Sequence, residues 1–274
     1  MLGLGVGIPK LVYPAPAGYV NSQSLDLDGT GDFVDTNYSV ADLQVLQRAS
    51  FSISMWVRAP YNASFTLFGH SDTGNLLSGS FQLDFIYVNG AFQYLSATGK
   101  SSNSAWGAIT LINNAAFASG NANNWVHVVL TVAKGVDDST NGTQTLYLNG
   151  SSVGTGATKT KDFHEATVVT SGHNGLAFGA DMNASSATGH MTGQIDEIGI
   201  WSVALDADAV TAIYNSGAPF DLTEDNGNYD NSNRLNRYYR FEGSSQADIS
   251  TDRGLNGVDV SLEGNPTASS ETPS

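Results

Sequence analysis

The run GQIDEIGIWSVAL (Gly193–Leu205) constrains the fold more than any other segment. Its β-branched and aromatic residues predict a strand, followed by a short turn and a helix starting at Asp206. Within the strand, Asp196 falls in period with Ile198 and Ile200, so the three side chains are expected on one face. If that face meets a core, a carboxylate is buried. A buried carboxylate requires hydrogen-bond donors, a cationic side chain or a metal ion. The chain must therefore build a sheet with a polar device set into it.

Further strands follow from alternation. Phe51, Ile53, Met55 and Val57 alternate with Ser52, Ser54 and Arg58, which predicts a half-buried strand with Trp56 on its polar side. Phe81–Tyr87 and Ala91–Leu95 flank Asn89-Gly90, a strong hairpin pattern. Trp125–Val132 and Gln144–Leu148 form a second pair, and Asn149-Gly150 turns the chain again. Ser24–Asp28 and Phe33-Val34 are strands joined by a Gly29–Asp32 turn, and Leu176–Gly179 adds another strand. A single helix is expected over Asp206–Ser216. Asp206 suits its N-cap, Leu205 and Val210 have hydrophobic-staple spacing, Gly217 suits its end, and Pro219 blocks extension. With 41% hydrophobic and 14% charged residues and 30 glycines in 274 positions, these elements predict an all-β chain: an antiparallel sandwich with one short helix.

Composition narrows the chemistry. The absence of cysteine excludes disulfides, thiolate catalysis and zinc–thiolate sites. A formal net charge of −15 argues against nucleic acid and anionic membranes as partners. It is compatible with Ca²⁺, which prefers oxygen ligands. No stretch reaches the roughly 20 apolar residues of a membrane span. The opening segment MLGLGVGIPKLVYPAPAG lacks a basic start, and Pro9 and Lys10 interrupt its apolar run, so it reads as an extended arm over residues 1–21. The main sandwich is expected over 22–219. Residues 220–274 read as a linker and C-terminal strands that complete this sandwich or a neighbouring subunit's.

Four segments in order, SLDLDGTGDFV (Ser24–Val34), FSISMWVRAP (Phe51–Pro60), WVHVVLTV…QTLYLNG (Trp125–Gly150) and the Gly193–Leu205 run, resemble the laminin-G-like jelly rolls of the concanavalin-A-like sandwiches. The resemblance covers about residues 22–218. It implies that the Asp of the opening turn and the Asp of the I-D-E strand approach one structural Ca²⁺, which here selects Asp28, Asp32 and Asp196. The alternative is that Asp28 and Asp32 cap their own turn and that Asp196 accepts from the same turn.

Some relatives of this fold are glycosidases with alternating carboxylates on one strand. No such run occurs here, and adjacent Asp196 and Glu197 point to opposite faces, so no enzymatic activity is expected. His70, His127, His164, His173 and His190 show no metal-ligand spacing.

The C-terminal YYRFEG (Tyr238–Gly243) and DRGLNG (Asp252–Gly257) segments resemble the opening strand of a laminin-G-like domain, displaced to the other end of the chain. Together with the apolar arm they also resemble structural proteins of marine bacteriophages. That resemblance implies a non-enzymatic head-decoration, fibre or tail component in the virion, with other virion proteins and further copies of itself as partners. The alternative is a glycan-binding or adhesion module, using aromatics such as Tyr61, Tyr87 or Trp106 against cell-surface carbohydrate.

Overall fold

The computed structural model describes residues 19–39, 42, 49–60, 62–70, 81–88, 91–101, 104–105, 109–112, 123–134, 142–157, 175–182 and 186–274. Sheet one contains β1 (Ser24–Asp28), β3 (Phe51–Arg58), β9 (Val126–Ala133), β10 (Thr143–Leu148), β11 (Ser151–Ala157), β15 (Thr192–Trp201), β16 (Leu235–Tyr239) and β18 (Thr267–Ser269). Sheet two contains β2 (Phe33–Asp35), β4 (Phe65–His70), β5 (Phe81–Val88), β6 (Ala91–Ser101), β7 (Ser104–Ala105), β8 (Ile109–Ile112), β12 (Ala177–Phe178), β13 (Asp181–Met182), β14 (Ala187–Thr188) and β17 (Ser261–Glu263). The pairings are antiparallel except where β13 runs parallel to β4. The fold is a jelly-roll β-sandwich with minor helical content.

Alternation places the core between the sheets. Leu25, Leu27, Phe51, Ile53, Met55 and Val57 of sheet one meet Val34, Phe68, Leu83, Phe85 and Phe178 of sheet two, all essentially inaccessible. At about 25 cal/mol per Å², such side chains contribute roughly 1.5–3 kcal/mol each on burial.

The order β11-β10-β9-β3-β15-β1-β18 makes β15 the hinge of sheet one. Its first half pairs with β1 and its second half with β16. β17 pairs with β2, so strands from beyond Leu235 enter both sheets of this chain.

Part of the outer face of sheet one is covered. Helix α1 (Ala207–Tyr214) lays Ala209, Val210 and Ile213 over Val129, Tyr147 and Trp201. Phe220, Leu222 and Tyr229 close the rest, and the Trp201 indole donates to the Tyr229 hydroxyl at 3.0 Å. Asp206 accepts from the Ala209 amide at 2.8 Å, as its N-cap position requires. The helix stops earlier than expected, because Asn215 (φ 45°) and then Ser216 (φ 62°) turn left-handed before Gly217. Trp56 is buried beneath this helix, stacked 5.8 Å from Tyr214 and tilted against His127 at 4.8 Å. Gly150 (φ 76°) lets the β10–β11 turn pass under Tyr214, where a Cβ would lie 2.8 Å from the ring. A single-turn helix, α2 (Gln246–Ile249), begins at a Ser245–Asp248 capping box.

Candidate functional site

The predicted aspartates do not converge. Asp28 Oδ1 accepts from the Thr30 amide at 2.7 Å, and Oδ2 from the Thr30 hydroxyl at 2.8 Å. Asp32 accepts from the amides of Asp28 (3.0 Å) and Asn265 (2.7 Å), tying the turn to the segment before β18. Asp28 pairs with Thr192, so Asp196 lies four residues further along β15, about 13 Å at a rise of roughly 3.3 Å per residue. One cation with ligands at about 2.3–2.6 Å does not span that gap. Among the described residues, no group of three or more His, Asp or Glu side chains is placed to hold a metal ion. These residues therefore do not fit the Ca²⁺ that the resemblance implies.

A bulge in β15 explains the displacement. Asp196 pairs with Trp56, but the next β3–β15 pair is Ser54 with Gly199, so two residues face Met55 and the alternation slips. Glu197 sits in the bulge at φ 48°. Ile195 and Ile198 both reach the core, while the register of Asp196 with Trp56 assigns it to the opposite face. The expectation that Asp196 shares a face with Ile198 and Ile200 is corrected accordingly.

Both carboxylates are buried. Asp196 Oδ1 accepts from the Glu197 amide at 2.8 Å, not from the Asp28–Asp32 turn. Glu197 accepts from Arg240 Nε at 3.2 Å and from the Tyr238 hydroxyl. Arg240 also donates to the Val20 carbonyl and lies 4.4 Å from the Tyr19 ring centroid. Burial pushes Glu197 up to about 7, although Arg240 and Tyr238 pull it down. Burial, with the neighbouring Glu197 charge, raises Asp196 well above the carboxylate range. These groups lock strands together and have no exposed surface to offer a substrate. On β15, Asp196 and Glu197 are both buried and do not form an accessible catalytic pair.

The N-terminal arm proposed for assembly lies outside the described residues as far as residue 18. The part that is described, from Tyr19, packs on its own chain: Glu242 accepts from the Ser22 amide and hydroxyl and from the Gln23 amide.

Among the predicted binding aromatics, Tyr61 and Trp106 lie outside the described residues, and Tyr87 packs against the core. A small cleft of about 90 Å³ opens beside Tyr38, Ser50, Ser202, Asn236 and Asn256. Its volume suits a few ordered waters.

The outer face of sheet two carries part-exposed polar residues. On β5, Leu83 and Phe85 enter the core, and Gln82, Asp84 and Ile86 occupy the alternate, part-exposed positions. Asp84 accepts from the Thr66 hydroxyl at 2.7 Å and from the Gln82 side-chain amide. Burial raises its pKa above the ordinary value, and those two hydrogen bonds oppose the rise. Backbone register extends this row from Thr66 and Asp84 to Ser96 on β6 and Thr110 on β8. The adjacent row holds Asp181, Gly69 and Gln82 in register. A Cβ on Gly69 would sit 2.6 Å from Asp181 Oδ1, so glycine permits this close approach. Preorganised polar groups on a part-open sheet can hydrogen-bond a polyhydroxylated ligand. The alternation in FQLDFIYV could have revealed Gln82 and Asp84, but their pairing with Thr66 depends on the β4–β5 register.

The sequence profile of the concanavalin A-like lectin/glucanases superfamily matches residues 28–211. No curated protein matches the chain in sequence. Among solved structures, a candidate carbohydrate-binding protein from Bacteroides ovatus superposes with a TM-score of 0.58 at 17% identity, over 92% of this chain and 61% of its own. The chain thus spans less than two thirds of that protein's length. A native heptameric SAP-like pentraxin from Limulus polyphemus gives 0.52 at 12% identity, over 92% of this chain and 96% of its own. The CBM40 module of a Ruminococcus gnavus IT-sialidase, bound to α2,6-sialyllactose, gives 0.52 at 16% identity, over 70% and 97%. These likenesses correct the expectation of a virion component with virion partners, because none of the three is a viral protein and two are described by carbohydrate binding.

Proposed function

The chain belongs to the concanavalin A-like lectin/glucanases superfamily, and from that premise we propose that it is a glycan-binding module that holds carbohydrate on the outer face of sheet two. One observation carries this reading. Helix α1 and the segment after it cover the part of sheet one around Val129, Tyr147 and Trp201, and on sheet two Gln82, Asp84 and Ile86 stay part-exposed, with Asp84 fixed by Thr66. Sugar hydroxyls need acceptors held in fixed positions, and a carboxylate oriented by two neighbours is such an acceptor. The carbohydrate-binding descriptions of the fold's relatives support the same reading.

Titration of the full chain against immobilised and free oligosaccharides tests it. Binding is expected in the micromolar to millimolar range, weakened about tenfold or more by Asp84→Asn, since a hydrogen bond to a charged group contributes roughly 1.5–3 kcal/mol. Absence of binding to every glycan class, or binding unchanged by Asp84→Asn, would overturn it.

A further inference from the structure

Beyond the face around Asp84, we infer that the cleft between β16 and the Asp252–Gly257 loop is a separate subsite, which takes the acetamido group of an N-acetylated sugar. The fold builds this cleft. The amides of Leu255 and Asn256 donate to the carbonyls of Leu235 (3.0 Å) and Asn236 (3.1 Å), which lays the loop along β16. Gly254 permits the approach, because a Cβ there would lie 2.6 Å from the Arg237 Cα. Tyr38 forms a buried wall: its hydroxyl donates to Asn236 Oδ1 at 3.2 Å, and the Arg237 guanidinium lies 4.7 Å from its ring centroid. Asp42, Ser50 and Ser202 line the remainder.

The hydrogen bonds already made decide what the cleft still offers. Asn236 Oδ1 accepts from both the Tyr38 hydroxyl and the Asn256 side-chain amide (2.9 Å), so the free group of Asn236 is its Nδ2 donor. Asn256 has given a proton to Asn236, and its Oδ1 accepts no hydrogen bond from the described residues. A donor and an acceptor thus stand on two side-chain amides that are bonded to each other. A secondary amide has the matching pair: its carbonyl accepts from Asn236 Nδ2 and its N–H donates to Asn256 Oδ1. Ser39 holds Asp42 Oδ2 through its amide (3.1 Å) and its hydroxyl (2.7 Å), which leaves Oδ1 to accept from a sugar hydroxyl. Ser50 Oγ accepts from the Lys134 amide at 2.9 Å and keeps its own proton to donate.

Volume sets how much of the sugar enters. At about 10–15 Å³ per water-sized group, the cleft of about 90 Å³ admits about six to nine such groups. That accommodates the acetamido group, the ring carbon that bears it and a neighbouring hydroxyl, with the methyl against the Tyr38 ring and the rest of the pyranose outside. A hydroxyl at the same ring position is shorter, buries no methyl and leaves water against Tyr38. Displacing that water with an apolar group favours the acetamido sugar.

Heteronuclear NMR titration of the full chain compares N-acetylglucosamine, glucose and N-acetyl-lysine. N-acetylglucosamine is expected to bind in the millimolar range, about tenfold or more tighter than glucose, and to shift the side-chain amide signals of Asn236 and Asn256. N-acetyl-lysine carries the same acetamido group but brings no hydroxyl to Asp42 or Ser50, so it should bind more weakly than the sugar. Asn236→Asp keeps the acceptor for Tyr38 and Asn256 and removes the donor, and it should bring N-acetylglucosamine down towards glucose. Asn256→Ala, at an exposed position, removes the acceptor with the same expected effect and provides a second variant should Asn236→Asp misfold. Equal affinity for N-acetylglucosamine and glucose, or a preference that neither variant moves, would overturn the subsite. N-acetyl-lysine binding as tightly as the sugar would overturn its assignment to a sugar. Shifts confined to Gln82, Asp84 and their neighbours would overturn the subsite and leave the glycan reading standing. No binding of N-acetylglucosamine would overturn it outright.

Discussion

Glu197 shows how a single residue can couple the fold to pH. Burial raises its pKa, while Arg240 and the hydrogen bonds of Tyr238 and Tyr19 pull it down. Its folded pKa of about 7 lies above its ordinary 4.5. The sign follows: folding favours the protonated acid, so the stabilisation is complete below about 4.5 and is lost as pH rises towards 7. Asp196 acts in the same direction. The melting-temperature difference between the parent chain and Glu197→Gln should therefore shift against the parent as pH rises from about 4.5 to 7; a difference that shifts in the parent's favour across that window would contradict the argument. His127 is the opposite case. Burial pushes it down to about 3, and its Nε2 meets the Ser54 hydroxyl at 2.7 Å. It stays neutral in the folded state while the unfolded imidazole takes up a proton below about 6.5, so it adds a slope of the opposite sign, stability rising with pH towards 6.5.

Among the elements, β3 was legible in its alternation, although the expected half-buried strand is buried on both faces as far as Val57. Its alternation of Phe51, Ile53, Met55 and Val57 with serines survives because its ladder to β9 pairs residue for residue, and the bulge opposite Met55 falls on β15. The first half of β15 was legible and its centre was not. A bulge is set by pairing with a partner strand, so nothing local in Ile195-Asp196-Glu197-Ile198 marks the slip. The same limit applies to Thr66 and Asp84: each is an ordinary polar residue until the β4–β5 register joins them. Two outcomes belong at this scale. Asp206→Ala should cost about 1 kcal/mol by urea denaturation, the usual loss of an N-cap. Ile53→Ala, deep between the sheets, should cost about 2–5 kcal/mol. A smaller loss at Ile53 than at Asp206 would mean that helix α1, rather than the intersheet core, dominates stability.

For the whole molecule, the C-terminal segment is a structural part of the sandwich. Tyr239 and Phe241 join the main core, Tyr238 joins the cluster under α1, and the buried Arg237–Asp252 pair lies 3.6 Å apart. A chain truncated after Pro219 should therefore fail to give a cooperative melting transition, whereas a retained transition would show that residues 22–219 fold alone. Because Asp28, Asp32 and Asp196 do not meet, EDTA should leave the melting temperature of the full chain unchanged within about 1 °C; a drop reversed by Ca²⁺ would reveal ion binding elsewhere. The sequence by itself determined the all-β class, the hairpins and the helix cap, because alternation, Asn-Gly turns and N-cap chemistry act over a few neighbouring residues. Only the tertiary structure decided which face Asp196 takes, which part of sheet one helix α1 covers and which polar residues stand beside Asp84. Those depend on pairings between segments that lie far apart in the chain, and one residue of slip in such a pairing reverses every side chain beyond it.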